Sequence, residues 1–476
     1  MRTQPHIIIL GAGLAGLGAA YKLAQNNKAA VTVIEQNETV GGISGSFQIS
    51  GLTADYGSHR LHPACDPEIL NDIKNMLGDN LLDRPRNGRI RLRERWIRFP
   101  LKPLDLAFGL PAGFSANVIR DIITKLLTRG AAQSGDETFA SILESGLGPT
   151  ICREFYFPYT RKIWGLLPEE LSPIQAYRRV SSNTLNKMLL KIISAFPGFK
   201  TSGSGRFFYP AKGFGQIGES FYREAMKAGV KFHLGSSVKS LTHNGETIDA
   251  VCCENNGRTV TYRADYVWST IPVTGLVQSL KPHAPASVID ASRAIRYREM
   301  ILIYLVLEQQ QFSKYDAHYF PGTDIPITRL SEPKHYNNAQ EPQNRTVLCA
   351  ELPCSATDPE WSMTDEELAE LILHCMESAK IPVQAPVLTA FTRRLTHAYP
   401  IYLRGYEVYF NEIDNWLNRL KNLLTFGRQG LFVHDNTHHA LYMAYAAAKC
   451  LNNSDGFDNT QWQQYRKIFN THVVED

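Results

Sequence analysis

The first apolar run of the chain, Ile7–Leu10, is short, continuous and rich in β-branched residues, and it stops at a glycine. Such a run predicts a central strand of a parallel sheet, buried on both faces. Residues 14–25, "LAGLGAAYKLAQ", place small and apolar side chains at helical spacing, and "AVTVI" at 30–34 predicts a second buried strand. Strand, helix and strand within thirty residues make a βαβ unit. Further on, arginine alternates with apolar residues over 89–99, which predicts a strand or hairpin. Residues 102–196 read as mostly helical, with 103–128 the most apolar part; this is a helix pair of a cap or a membrane-facing entrance. A helix at 214–228 leads into a strand at 230–241, and 247–272 reads as a hairpin-like stretch turning at Asn255-Asn256-Gly257. Residues 285–395 alternate strands with a helix, and 397–450 end in a strand, a loop and a helix of small residues.

Composition narrows the class. The 476 residues are 43% hydrophobic, ample for a large core, and suggest two to four compact units. Fifty basic and 46 acidic residues leave a net charge of +4 with no basic stripe, which excludes nucleic acid and a broad anionic surface as partners. The eight cysteines form no CxxC pair and no zinc spacing, so free thiols in a reducing cytoplasm are expected. The glycine motif beginning at Gly11 leaves no room for a secretory signal, and the longest apolar run, 300–307, is too short to span a bilayer. The expected protein is cytoplasmic and soluble, or at most peripheral to a membrane.

The glycines carry the first chemistry. Gly11, Gly13 and Gly16 form GxGxxG between the first strand and the helix that starts at Leu14 and Ala15. Gly11 permits the tight turn, Gly13 admits a pyrophosphate to the backbone, and Gly16 lets helix and strand pack closely. The second strand ends at Glu35 and Gln36, 24 residues beyond Gly11, where an acid can accept hydrogen bonds from a ribose diol. Gly41, Gly42 and Ser44 make a second loop of close approach. It leads into "GLTADYGSHRLHP" at 51–63, with Asp55, Gly57, Ser58, His59 and His62. A metal there would need a third ligand nearby, and Asp55 is a weak one. The loop therefore reads as the floor of a cofactor pocket, with catalysis by a histidine left open.

The double-glycine loop after the acidic strand resembles that of the flavoprotein group containing protoporphyrinogen oxidases, amine oxidases and UDP-galactopyranose mutases. "DYGSHRLHP", "YTRKIWGLLPEELSP" at 159–173, "AYRRVS", "FFYPAKGFGQI", "RYREMILIY" and "IPITRLSEPKHY" resemble blocks of the mutase-like branch over most of the chain. The resemblance implies FAD in an α/β fold: a Rossmann-like FAD-binding domain of the glutathione-reductase-2 type, with an inserted substrate-binding sheet and a helical cap. It divides the chain into FAD-binding segments 1–100, 206–280 and 397–476, a cap at 101–205 and a substrate sheet at 281–396. It also implies that Asp55–His62 lies beside the flavin ring and that Val238 meets the adenine end. Gly427, Arg428, Asn436 and Thr437 would face the flavin, the helix N-terminus stabilising negative charge on it. Arg161, Arg178, Arg298 and Arg329 would line a cleft and hold an anionic group, with Trp164 and Tyr159 stacking on a ring.

Two chemistries follow. One is an FAD-dependent oxidoreductase that moves a hydride from a C–N or C–C bond of a small molecule to flavin N5, reoxidised by oxygen or another acceptor. His59, His62, Asp435 and His438 are its candidate acid/base groups. The other is a non-redox sugar-nucleotide mutase, in which the arginines hold a diphosphate. Against the mutase, Asp435, Asn436 and Thr437 stand where that branch has Tyr-Asp-Met, and a carboxylate there repels a diphosphate. A non-catalytic FAD-binding protein is the third reading. The expected substrate is a small molecule, anionic or lipophilic; no metal is assigned, and a homodimer is compatible.

Overall fold

The computed structural model describes residues 4–99, 112–127, 137–179, 205–452 and 456–474. The βαβ unit forms where the apolar pattern places it. Strand His6–Leu10 lies between Tyr266–Ser269 and Ala30–Ile34, with Leu423–Thr425 and Lys231–His233 at the edges of a five-stranded sheet. All its pairings are parallel. Because successive side chains of a strand point to opposite faces, this run feeds two cores. Ile7 and Ile9 pack with helices Leu14–Gln25, Gln216–Lys227 and Thr437–Cys450. Ile8 and Leu10 pack on the other face, against the antiparallel strands Ser236–His243 and Ile248–Asn255 and the helices after them. The hairpin Ile248–Asn255/Arg258–Tyr262 turns at Asn256 and Gly257, both with positive φ, as the "NNG" signal predicts.

A seven-stranded sheet forms the second layer. Its order is Val387–Ile401, Arg296–Leu307, Thr346–Cys354, Arg329–Ser331, Ala317–Tyr319, Gly88–Leu92 and Arg95–Phe99. The apolar run 300–307 is its centre. Ile301, Ile303 and Leu305 face helix Asp365–Ser378, whereas Met300, Leu302 and Tyr304 face the hairpin Ser46–Ile49/Leu52–Asp55. The alternating arginines of 89–99 do form a hairpin, and it joins this sheet by pairing with Ala317–Tyr319. Strand Val387–Ile401 runs across the expected boundary at 396/397.

The described part of the cap is helical: Ala112–Leu127, Phe139–Leu147, Phe157–Trp164 and Pro173–Arg179. Phe114 and Val118 dock on Ile90, Leu92 and Ile97, while Ile119, Ile123 and Leu127 face outward. The apolar stretch 185–199 lies outside the described residues. All eight cysteines are free. No helix among the described residues is long and apolar enough to cross a membrane.

Candidate active site

One cavity of about 510 Å³ runs from the glycine turns to the large sheet. Its cofactor end is made largely of backbone. Gly11 takes φ +99, and a Cβ at Gly16 would overlap the carbonyl oxygen of Gly11. Gly16 is therefore a packing residue behind the pocket. A Cβ on Gly13 would meet nothing within 4 Å, so its open side faces the cavity, where a pyrophosphate can approach. Gly42 sits against Gly13, its added Cβ 3.2 Å from the Gly13 Cα. Leu14, Ala15, Gln36, Gly41 and Ser44 line the same end.

Glu35 is buried at the strand end. It accepts the Ala12 N–H at 2.8 Å and the Asn37 N–H at 2.9 Å. It also accepts the Asn37 side-chain N–H at 2.6 Å, and since a carboxylate accepts about four hydrogen bonds, one site remains for a ribose hydroxyl. Across the cavity, helix Thr437–Cys450 presents its first turn; Asn436 and Thr437 line the wall with Arg428. Arg428 donates to the Asp435 carbonyl at 3.1 Å and to the Ala398 carbonyl, and so ties this loop to the large sheet. Gly427 lets the loop approach the first helix, since a Cβ there would lie 2.7 Å from that of Ala15. This glycine cradle, the strand-end acid and the open helix N-terminus fit an ADP-ribosyl flavin.

The far end is built from side chains. Gly57, at φ +97, turns the chain so that the Ser58 N–H reaches Glu351 at 2.9 Å. Glu351 also accepts two nitrogens of Arg329, at 2.6 and 3.0 Å. Burial alone would weaken the hold of Arg329 on its proton, and Glu351 beside it more than reverses this, raising its pKa. Arg60 reaches the Tyr319 hydroxyl at 3.0 Å and Asp316 at 3.4 Å. His59 holds the Tyr56 carbonyl through Nε2 at 2.9 Å, and burial lowers its pKa. Asp55, by contrast, is no pocket group. It is fully buried, accepting Tyr209 Oη at 2.5 Å, Ser46 Oγ at 2.6 Å and Phe214 N–H at 2.9 Å, and burial raises its pKa.

Several expected positions fall elsewhere. Arg161 is exposed on the cap helix and does not line the cavity. Trp164 is buried in the cap core against Tyr399 and His434. Arg298 points into a neighbouring cavity, bonded to the Ile163 carbonyl at 3.1 Å, Ser355 Oγ at 2.6 Å and the Pro353 carbonyl at 3.4 Å. It joins cap to sheet. Arg178 is buried beside Asp435 at 3.3 Å and is not among the residues that line the cavity. Val238 is partly buried, its side chain packed against the core beside the small sheet, and it is not among the residues that line the cavity. His438 is buried behind the wall near His62. Burial first, and then the positive fields of His62 and His472, lower its pKa to about 4.

The sequence reading overlooked His472 and His439. His472 Nδ1 lies 2.8 Å from Asp435 Oδ2, and burial of Asp435 is outweighed by that bond and by Arg178, so its pKa falls. Asp435, His439 and His472 bring ligating atoms within 4.8 Å of one another. The carboxylate is already matched by His472 and Arg178, and the imidazoles of His439 and His472 stack at 4.2 Å rather than converging. This is an ion-pair network. Nothing local in the sequence links residue 472 to 435. Also overlooked were Thr270–Pro272 and the strand segment Arg393–Thr396, both on the cavity wall.

A glycine cradle with a strand-end acid, roofed by a large mixed sheet, defines a dinucleotide-binding flavoprotein. The model of the flavin containing amine oxidoreductase family matches residues 14–449, so the chain belongs to that family and its cofactor is FAD. An L-amino-acid oxidase from Sistrurus catenatus edwardsii is 25% identical over 354 residues, which is 69% of this chain and 63% of the relative. The chain thus matches somewhat less than two thirds of that relative's length. Among solved structures, a reduced UDP-galactopyranose mutase superposes with TM-score 0.79 at 20% identity, covering 99% of both chains. Cyclohexylamine oxidase from Brevibacterium oxydans gives 0.62 at 16% identity, covering 98% of this chain and 100% of its own. These superpositions show the shared fold.

Proposed function

We propose that the protein is an FAD-dependent oxidoreductase that oxidises a C–N or C–C bond of a small molecule. When bound, FAD supplies the two-electron acceptor, reoxidised by oxygen or another acceptor. The observation that carries this reading is the fate of the four arginines. Of Arg161, Arg178, Arg298 and Arg329, only Arg329 lines the cavity, and Glu351 neutralises it in a bidentate pair. A diphosphate clamp therefore has no free cations from this set.

The chain's own groups suit an oxidation. The bond from His59 Nε2 to a carbonyl fixes the proton on Nε2 and leaves Nδ1 as the atom that accepts a proton. Its lowered pKa keeps the ring neutral, hence able to take a proton from a substrate amine or hydroxyl. Glu35 would hold the ribose, the backbone at Gly13 and Gly42 the pyrophosphate, and the helix end at Thr437 the negative charge of the reduced ring. The second reading, a flavin-dependent sugar-nucleotide mutase, draws support from Tyr159 and Arg329 in the same cavity.

The test is spectroscopic. Anaerobic protein is mixed with amines and amino acids, and separately, after dithionite, with UDP-galactose. Bleaching of the flavin band by an amine establishes the oxidoreductase. Turnover of the nucleotide sugar by reduced protein alone would overturn it in favour of the mutase.

A further inference from the structure

The walls of the cavity are rich in arginine, and nearly every guanidinium is already committed. Arg329 is paired with Glu351, and Arg60 with Asp316, Tyr319 and Tyr336. Arg394 points to the opposite face of its strand and holds the Trp361 and Met363 carbonyls. Arg393 differs. Its guanidinium carbon lies 3.7 Å from the ring centroid of Tyr56, and among the described residues it makes no hydrogen bond and no ion pair. It is half-buried and lines the cavity with Leu395, on the sheet face that carries Met300. Tyr56 is itself buried, stacked on Phe47, and its carbonyl holds His59.

We propose that Arg393 forms an anion subsite that takes a single carboxylate of the substrate, on the wall next to His59. The proposal rests on the oxidoreductase reading of this cavity and deepens it by naming the substrate class. A guanidinium left with all five N–H donors inside a cavity matches a planar two-oxygen acceptor. The contact with the Tyr56 ring orients it beforehand, which reduces the ordering cost of binding. One free positive charge suits a monoanion. A phosphate monoester carries close to two charges, and the neighbouring arginines are already neutralised or held by carbonyls. The sheet side of the subsite is apolar through Leu395 and Phe391, so the carboxylate would sit on an apolar body.

The test uses holoprotein and reads ligand binding through the flavin difference spectrum and by calorimetry, without turnover. The probes are benzoate, benzamide and phenyl phosphate. Benzoate is expected to bind at least tenfold more tightly than benzamide. Arg393→Met should erase that preference, while Arg393→Lys retains part of it. Loss of one charge-assisted contact corresponds to about a 10- to 100-fold change in Kd. FAD content and Tm serve as controls; both should change little, because the Tyr56 ring is the one described contact of the guanidinium. Equal benzoate affinity in wild type and Arg393→Met, or equal binding of benzoate and benzamide, overturns the subsite. Tighter binding of phenyl phosphate than of benzoate overturns the carboxylate assignment. A retained benzoate preference in a protein that no amine or amino acid reduces would sink the oxidoreductase reading and leave the subsite standing.

Discussion

The two ends of the cavity are made of different material. At the cofactor end the chain offers backbone: a glycine turn, a strand end and a helix N-terminus, with Glu35 as the principal acid. At the substrate end it offers side chains held in pairs, Arg329 with Glu351 and Arg60 with Asp316. Backbone sites depend on conformation, which few residues can supply. Side-chain sites depend on partners brought from distant strands. The first kind should fail outright when one glycine is changed, the second in steps.

The sharpest test of the backbone end is Gly16→Val. Its Cβ must displace the Gly11 carbonyl, and overpacking against fixed backbone costs about 3 kcal/mol or more. The expected result is loss of bound FAD and of a cooperative melt; a yellow, folded variant would refute the assignment of this turn. At the other end, Glu351→Gln leaves the part-buried Arg329 without its countercharge, which costs about 1–3 kcal/mol. Denaturant unfolding should show this drop with the flavin still bound before the transition.

A smaller effect is expected in acid. The pKa of His438 falls from 6.5 to about 4 in the fold, so below pH 6.5 the unfolded chain takes up a proton that the native state refuses. Stability present above pH 6.5 is therefore lost as pH falls toward 4. His438→Gln should flatten this limb of a Tm-against-pH curve, and an unchanged slope would deny the ring its neutral state. The least effect is expected from Arg161→Ala. This exposed side chain should change stability by less than about 0.5 kcal/mol and leave turnover unaltered. A large loss of activity would return Arg161 to the site.

The same contrast explains what the sequence made legible. The GxGxxG turn, Glu35 and the second glycine loop each announce a backbone conformation through residue type within a few positions. All of them line or brace the cavity. The arginines are placed by residue type and by the resemblance of the blocks that carry them. A guanidinium looks alike in sequence whether it lines a cavity, as Arg393 does, or joins cap to sheet, as Arg298 does. The partner decides, and the partners lie far off in the chain: Glu351 for Ser58, His472 for Asp435. The 89–99 hairpin was visible from alternation, yet its sheet was not, because pairing with Ala317–Tyr319 leaves no mark on either segment.

Strand His6–Leu10 is hydrogen-bonded on one side to residues about 25 positions away and on the other to residues about 260 away, at Tyr266–Ser269. The second neighbour cannot dock until the intervening chain has been produced and gathered, and closing so long a loop is slow as well as entropically costly. Meanwhile an apolar, β-branched edge stands open to any other strand in reach. The early glycine turn is thus complete in sequence long before it is complete in space. Poor yields on overexpression should respond to slower synthesis and to chaperones more than to surface substitutions.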